Sequence, residues 1–286
     1  MNAPKIETYD PMPKPFLFLL SFLTHTLFAF GQVTIDGQII DAQTKEPLPY
    51  VNIGLVDQNV GTVSDDQGFF EFEVNPTQFD QAVLRFSMIG FETKEYSLID
   101  YLNQELFFIS MTEEVMALDE VMVSTKRTKF ETKVLGNKTT SKIIYASFTT
   151  NLLGNEMGFI VRQRKRPMIL KKFNISIVEN DFIPLRFRLN FYKLENGLPS
   201  STLLKENIII ETDVSSGVVT KDLSPYEIVI DEDFFVAIEW IEDLGPGNLF
   251  FSGGFFGSSL IAREVSQGSW TKVGAASVGM NVEVRY

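Results

Sequence analysis

Two adjacent carboxylates, Asp65 and Asp66, are candidate ligands for a metal ion. They lie in the stretch VGTVSDDQGFFEFEV, shortly before Gly68. Paired carboxylates can hold calcium, but they also accept hydrogen bonds from backbone amides in tight turns. Calcium loops carry ligands at alternate positions, and no acidic series with that spacing follows here. The sequence therefore predicts a hairpin turn between two alternating strands, with a calcium site as the alternative.

Missing residue types limit the catalytic chemistry. The sequence has no cysteine and one histidine, His25, which lies in an N-terminal run that we expect to be removed. Ser-His-Asp and Cys-His catalysis and ordinary zinc sites need imidazole or thiol groups. An enzyme would have to depend on other groups, such as two carboxylates facing one cleft in a glycosidase. We therefore expect no catalytic residues, no cofactor and no metal, with the glycosidase as the alternative.

A basic stripe in FIVRQRKRPMIL is a candidate binding surface. Arg162, Arg164 and Arg166 project from one face if this segment is a strand. Guanidinium groups recognise phosphate and carboxylate, as on lipopolysaccharide or an acidic glycan. The alternative is that the charges protect an edge strand or complement an acidic surface of the same protein. A net charge of −12 disfavours nucleic acid as the partner.

Aromatic side chains form a second candidate ligand site. Phe255 and Phe256 stand between glycines in FFSGGFFGSS, and Trp240 and Trp270 lie on either side of this stretch. Exposed aromatic rings can stack on sugar rings, although most of the 26 phenylalanines must lie in the core. These four residues therefore give a carbohydrate-binding hypothesis.

Residues 1–31 have the features of a signal peptide. Lys14 precedes an apolar run, Phe16 to Phe30, and Ala29 and Gly31 are small residues at the spacing that a signal peptidase reads. The run is shorter than the roughly 20 residues that cross a bilayer. We expect export, a mature chain that begins at Gln32 without a transmembrane span, and a periplasmic, outer-membrane-associated or secreted protein.

The remaining sequence predicts an all-β protein. Short segments rich in Val, Ile and Phe alternate with polar residues and are separated by Gly, Pro, Asn and Asp. Leu185, Phe187, Leu189 and Phe191 fall on one strand face, opposite Arg186, Arg188 and Asn190. Phe234, Val236, Ile238 and Trp240 form another inward set, in a segment that is apolar on both faces.

A change of charge near residue 125 predicts two domains. Residues 32–124 contain 17 acidic and 3 basic residues, whereas residues 126–172 contain 12 basic and 2 acidic residues. We expect antiparallel β-sandwiches over residues 32–124 and 125–286, the second, jelly-roll-like one following a basic connector. Opposite charges on tethered domains also predict a salt-sensitive contact through Arg162, Arg164 and Arg166.

The first domain resembles a known family. The resemblance covers roughly residues 32–124 and rests on Gly37, Asp41, Thr44, Pro47, Leu48, Gly61, Thr62, Asp65, Gly68 and Phe70. This set is similar to the carboxypeptidase-like regulatory domain, a transthyretin-like (prealbumin-like) Greek-key β-sandwich that is appended to carboxypeptidases and to exported proteins of Bacteroidetes-type bacteria. The resemblance implies structural rather than catalytic roles for these residues.

Ala117 to Ser124 also resembles the coupling segment of TonB-dependent receptors. Only 162 residues follow Ser124, however, too few for a receptor's plug and barrel, so a last strand and linker is the preferred interpretation. We therefore expect an exported, non-enzymatic binding or scaffolding protein of the cell envelope. Its expected partner is an envelope protein, an anionic glycan or lipopolysaccharide. The alternative is a glycan-binding accessory module of a polysaccharide-handling or TonB-dependent uptake system.

Overall fold

A computed structural model describes residues 31–104, 106–114, 130–148, 150–162, 166–255, 260–274 and 276–286. The predicted signal peptide, apart from Gly31, lies outside these residues. The predicted domain boundary at residues 124 and 125 and the TonB-like segment also lie outside them.

The first domain is a sandwich of two small sheets. One sheet has the strand order β4-β1-β7 and the other the order β3-β2-β5-β6. The elements are β1 (Val33–Asp41), β2 (Asn52–Leu55), β3 (Gly61–Val63), β4 (Phe69–Val74), β5 (Val83–Ser87), β6 (Lys94–Ser97), α1 (Leu98–Leu102) and β7 (Phe108–Met111). The strands of this sandwich are antiparallel except at one pair, since β1 and β7 are parallel.

Alternating side chains of these strands build the first core. Ile35 and Ile39 of β1 are almost fully buried, as are Phe70 of β4 and Phe86 of β5. The rings of Phe70 and Phe86 meet edge to face, with centroids 5.7 Å apart. Burying each such side chain stabilises the fold by about 1.5–3 kcal/mol, so the two sheets are held face to face by this core.

The turn at Asp65 was predicted correctly, but the hairpin was not. Asp65 Oδ1 accepts hydrogen bonds from the amides of Gln67 at 2.9 Å and Phe69 at 2.8 Å. Gly68 has a φ of +76°, and an added Cβ there would lie 2.5 Å from the carbonyl oxygen of Ile39. However, β3 pairs with β2 and β4 pairs with β1, so this turn carries the chain from one sheet to the other.

The second domain is a larger sandwich. One sheet has the order β13-β12-β17-β10-β19-β20, with β14 also on β12. The other has the order β21-β18-β11-β22-β8, with β15 and β16 on β11 and β9 on β18. Its strands are β8 (Thr132–Gly136), β9 (Tyr145–Ala146), β10 (Glu156–Val161), β11 (Met168–Asn180), β12 (Leu185–Glu195), β13 (Leu198–Thr202), β14 (Ile208–Thr212), β15 (Gly217–Asp222), β16 (Val229–Ile230), β17 (Phe234–Trp240), β18 (Leu249–Gly254), β19 (Leu260–Arg263), β20 (Thr271–Val273), β21 (Ser277–Val278) and β22 (Met280–Arg285).

The chain of the second domain crosses repeatedly between its sheets, as in a jelly roll. Strands β10, β11 and β12 lie in alternate sheets, and so do β17, β18 and β19. The all-β fold of packed sandwiches is therefore confirmed. Among the described residues, no helix is both long and apolar enough to cross a membrane.

Strand β17 is buried on both faces. Phe234, Val236 and Ile238 point into the core between the sheets of the second domain. Phe235 and Ala237 belong to a smaller apolar cluster on the opposite face. A continuously apolar strand is typical of a sheet that is covered on both sides. In this protein the first domain lies against the outer side of that sheet, as the contacts below show.

The turn at Asp65 yields a stability prediction. Asp65→Ala should lower the free energy of unfolding by roughly 1–3 kcal/mol because two backbone amides lose their acceptor, and Gly68→Val should cost about as much or more through its positive φ. Asp66→Ala is the matched control and should change the free energy by no more than about 0.5 kcal/mol. Thermal and chemical unfolding would measure these effects. Unchanged stability of Asp65→Ala together with loss of bound calcium would favour the calcium alternative.

Candidate functional site

The two domains meet at a loop of the second domain, residues 264–269, which we call the docking loop. The carbonyl oxygen of Ser266 lies against two glycines of the first domain, Gly54 in β2 and Gly61 in β3. A Cβ added at either glycine would lie 2.6 Å from that oxygen. This contact therefore needs residues without a side chain at these two positions. Gly61 is also one of the residues that carry the family resemblance.

Hydrogen bonds fix the docking loop to the first domain. The amide of Asp57 donates to the carbonyl of Gln267 at 3.0 Å, and the hydroxyl of Ser269 donates to the carbonyl of Asp57 at 2.9 Å. Gln267 Nε2 donates to Ser87 Oγ at 2.8 Å. These bonds join neutral groups, so salt screens them little.

A second contact between the domains involves Tyr50. Its hydroxyl donates to Glu242 Oε1 at 2.6 Å, and Arg186 Nη1 donates to the same oxygen at 3.0 Å. Burial of the phenol and its hydrogen bond to Glu242 raise the pKa of Tyr50 to about 12. Tyr50 is therefore a neutral donor throughout the physiological pH range.

Two glutamates are fully buried in the sheet that faces the first domain. Glu156 in β10 and Glu239 in β17 are register partners on adjacent strands, and both are 0% exposed. Asn190 of β12 bridges them, since its Nδ2 donates to Glu156 Oε1 at 2.8 Å and to Glu239 Oε2 at 2.7 Å. Two buried carboxylates this close need positive partners.

Two arginines supply those partners. Arg188 Nε lies 3.0 Å from Glu239 Oε2, and Arg263 Nη2 lies 2.7 Å from Glu156 Oε2. Arg188 also crosses to the first domain, where its Nη2 donates to Asn52 Oδ1 at 3.1 Å. The four charges can cancel in pairs. Through Arg188, the resulting network connects the sheet of β10, β12 and β17 to the first domain.

The proton affinity of this network is unusual. Burial raises the pKa of Glu156 to about 7, and Glu239 acts in the same direction while Arg263 opposes it. Burial also raises the pKa of Tyr192, whose hydroxyl donates to Glu156 Oε2 at 3.2 Å. Glu156 can therefore exchange a proton near neutral pH, although its carboxyl group is enclosed.

A cleft of about 670 Å³ lies above this network, between the domains. The second domain contributes Arg188, Asn190, Tyr192 and Arg263 to its lining, and all four contact the buried glutamates. The first domain contributes residues of β2, β5 and the segment around Phe91. The cleft therefore exists only while the domains are docked.

Among the predicted aromatic residues that the structure describes, one lines the cleft. Trp270 does so, with its ring 4.8 Å from the Arg263 guanidinium carbon. The prediction for Trp240 is wrong: this residue is 7% exposed and packs edge to face against Phe148 and Phe182, so it has no free face for a sugar. Phe255 is 63% exposed but is not part of the cleft lining. Phe256 lies outside the described residues.

The predicted basic stripe is not brought together as one surface by the described residues. Arg162 follows β10 and is exposed, and Arg164 lies outside the described residues. Arg166 forms an ion pair with Asp233 of the same domain. The described contacts between the domains instead use the docking loop, Tyr50 and Arg188. These contacts are hydrogen bonds in which at least one partner is neutral, and the predicted contact through the stripe stays a prediction.

The hydrogen bonds described between the domains predict little effect of salt on docking, whereas the charges along the sequence predicted a salt-sensitive contact. The radius of gyration should stay constant from about 0.05 M to about 0.5 M salt, because screening acts on exposed charges rather than on neutral hydrogen bonds. Reversal of Arg162, Arg164 and Arg166 to Glu should leave the radius unchanged too. Small-angle scattering would measure both. An increase in either case would mean that the stripe holds the domains together after all.

Glu156 gives a pH prediction. Its pKa is 4.5 in the unfolded chain and about 7 in the folded protein, so the folded state binds the extra proton between these values. Its contribution to the free energy of unfolding should therefore fall as pH rises from 4.5 to 7 and level off above 7, by roughly 3 kcal/mol at most.

Chemical unfolding of the wild type, Glu156→Gln and the surface control Glu73→Gln at about pH 5 and about pH 8 would measure this effect. Glu156→Gln should lack the decrease, and Glu73→Gln, at an exposed position of β4, should retain it. Equal slopes in the wild type and Glu156→Gln would show that Glu156 does not hold the proton.

Comparison with known proteins identifies one part of the chain. Residues 35–123 match the model of the CarboxypepD_reg-like domain. A comparison with curated protein sequences gives no match. The match covers β1 to β7, the two-sheet sandwich that packs on the docking loop. The first domain of this protein is therefore a carboxypeptidase-like regulatory domain, as the residues from Gly37 to Phe70 predicted.

Proposed function

We propose that this protein is an exported, non-enzymatic binding protein of the cell envelope, and that its ligand occupies the cleft between the domains. The observation that carries the proposal is the cleft of about 670 Å³ above a network of fixed, buried polar side chains. A volume of this size suits a small ligand. Side chains that are already ordered lose little entropy when a ligand binds, which favours affinity.

The arrangement of the buried acids supports binding over catalysis. A general acid or nucleophile must reach the substrate within hydrogen-bond distance. Glu156 and Glu239 are fully enclosed, and each is held by an arginine and by Asn190. They fix the orientation of Arg188 and Arg263, which line the cleft. Their role in this proposal is to position cleft residues.

Export is supported by the N-terminal sequence alone. Lys14, the apolar run Phe16 to Phe30 and the small residues before Gln32 have the order of a signal peptide. The absence of cysteine is compatible with an oxidising compartment, because no thiol is available for unwanted disulfides.

One experiment in the native host tests location, binding and turnover together. The protein would be isolated from the cell envelope and studied by native mass spectrometry, next to Ser201→Trp and Ser215→Trp. Ser201 is exposed and lines the cleft, so a bulky ring there should block it. Ser215 is exposed and is not part of the lining, so it is the matched control.

The expected result is a mature chain that begins at or near Gln32. It should carry a small molecule that is absent from Ser201→Trp, present in Ser215→Trp and unchanged in mass after incubation. An intact N-terminus in the membrane fraction would contradict export. An equal load on Ser201→Trp would contradict the cleft as the site. Conversion of the molecule by the wild type but not by Glu156→Gln would favour the glycosidase alternative.

A further inference from the structure

We propose that the ligand of the cleft is an uncharged saccharide, with a sugar ring against Trp270 and its hydroxyl groups bound by the amide, hydroxyl and guanidinium groups of the lining. This inference rests on the proposed binding function. It narrows the ligand class that the sequence left open between anionic glycans, lipopolysaccharide and other glycans.

Pairing of the charges argues against an anionic ligand. Each of three arginines in the lining already has a carboxylate partner: Arg85 lies 2.7 Å from Glu95, and Arg188 and Arg263 bind Glu239 and Glu156. An anion would have to compete with these carboxylates in a site of low dielectric constant. The arginines of the cleft therefore add little excess positive charge to it.

Other acids in the lining strengthen this argument. Asp57 and Glu114 are exposed acidic residues that also line the cleft. They lower the electrostatic potential in the cleft, so a phosphate or uronate would be repelled there. The charges of the cleft thus disfavour the anionic glycan that the arginine stripe suggested from sequence.

The neutral groups of the cleft suit a ligand that is dense in hydroxyls. Thr93 and Ser201 are exposed and present hydroxyl groups, and the half-buried Asn52 adds an amide. Hydroxyl and amide groups both donate and accept hydrogen bonds, as sugar hydroxyls do. The lining comes from both domains, so a saccharide bound here would contact both.

Trp270 supplies the apolar part of the site. Its ring is half-buried, and its orientation is fixed by edge contacts to Phe235 at 5.3 Å and Tyr192 at 5.9 Å and by Arg263 at 4.8 Å. A ring that is held in place offers a platform for the C–H face of a sugar at low entropic cost. The combination of one fixed indole and several neutral hydrogen-bonding groups is what points to a saccharide.

Binding to an array of neutral, acidic and amino oligosaccharides, followed by calorimetry on the neutral oligosaccharides that bind, tests this inference on the exported protein. We expect a neutral oligosaccharide to bind with a Kd that does not change between about 0.05 M and about 0.5 M salt. Trp270→Ala should weaken this binding by roughly tenfold or more, and Trp270→Phe should restore part of it. Phe255→Ala is the control, because Phe255 is an exposed aromatic residue outside the lining. This variant should bind the neutral oligosaccharide as the wild type does.

Ser201→Trp leaves Trp270 and its packing in place and should abolish the same binding, so the test stands even if Trp270→Ala fails to fold. Salt-dependent binding of acidic or amino oligosaccharides alone would overturn the uncharged ligand. This result would still support a binding function of the cleft if Ser201→Trp abolished the binding of the charged oligosaccharides. Absence of any oligosaccharide binding would overturn the saccharide itself, while a small molecule held in the cleft of the isolated protein would still support the binding function. Loss of neutral binding in Phe255→Ala but not in Trp270→Ala would place the site outside the cleft.

Discussion

The buried ion pairs of Glu156 with Arg263 and of Glu239 with Arg188 are the constraint on which the rest of the molecule depends. A carboxylate removed from water is tolerated only with a well-placed partner, and loss of one partner of a buried pair costs about 3–5 kcal/mol. Because the outer face of this sheet is covered, each of these charges needs such a partner. The first domain provides part of that cover, and Asn52 gives it a direct bond to Arg188. Domain docking thus makes charge pairing in this sheet necessary.

Docking also explains the backbone of the first domain. The glycines of β2 and β3 leave a surface flat enough for the docking loop, and Ser266 approaches both. A larger side chain at either position would separate the domains or distort the strands. Glycine weakens a strand by roughly 0.5–1 kcal/mol relative to alanine, so its use here reflects a close approach rather than strand propensity. The sandwich core fixes these strands, and these strands fix the interface.

Much of the fold could be predicted from sequence, but the site could not. Alternation identified which residues of β12 and β17 face the inner core, and the Asp65 turn followed from its residue types. The same alternation placed Arg188 and Asn190 on the opposite face, where polar residues are usually solvated. A period of two says which side of a sheet a residue takes and nothing about what covers that side. The one clue was the continuous apolar character of β17, which is typical of burial on both faces.

The composition of the cleft follows from the same constraint. Residues 32–286 contain neither cysteine nor histidine, so a polar site in these two domains must be built from carboxylates, guanidinium groups, amides and hydroxyls. In the enclosed layer these groups neutralise one another, because an unpaired charge there would be costly. What remains for a ligand is an array of fixed hydrogen-bond donors and acceptors beside Trp270, with little charge to attract an ion from a distance. Such a site discriminates by shape and hydroxyl pattern rather than by charge, since each unmatched buried polar group would cost about 1–3 kcal/mol. Because the two domains line the cleft together, their docking also fixes the spacing of the groups that would recognise the ligand.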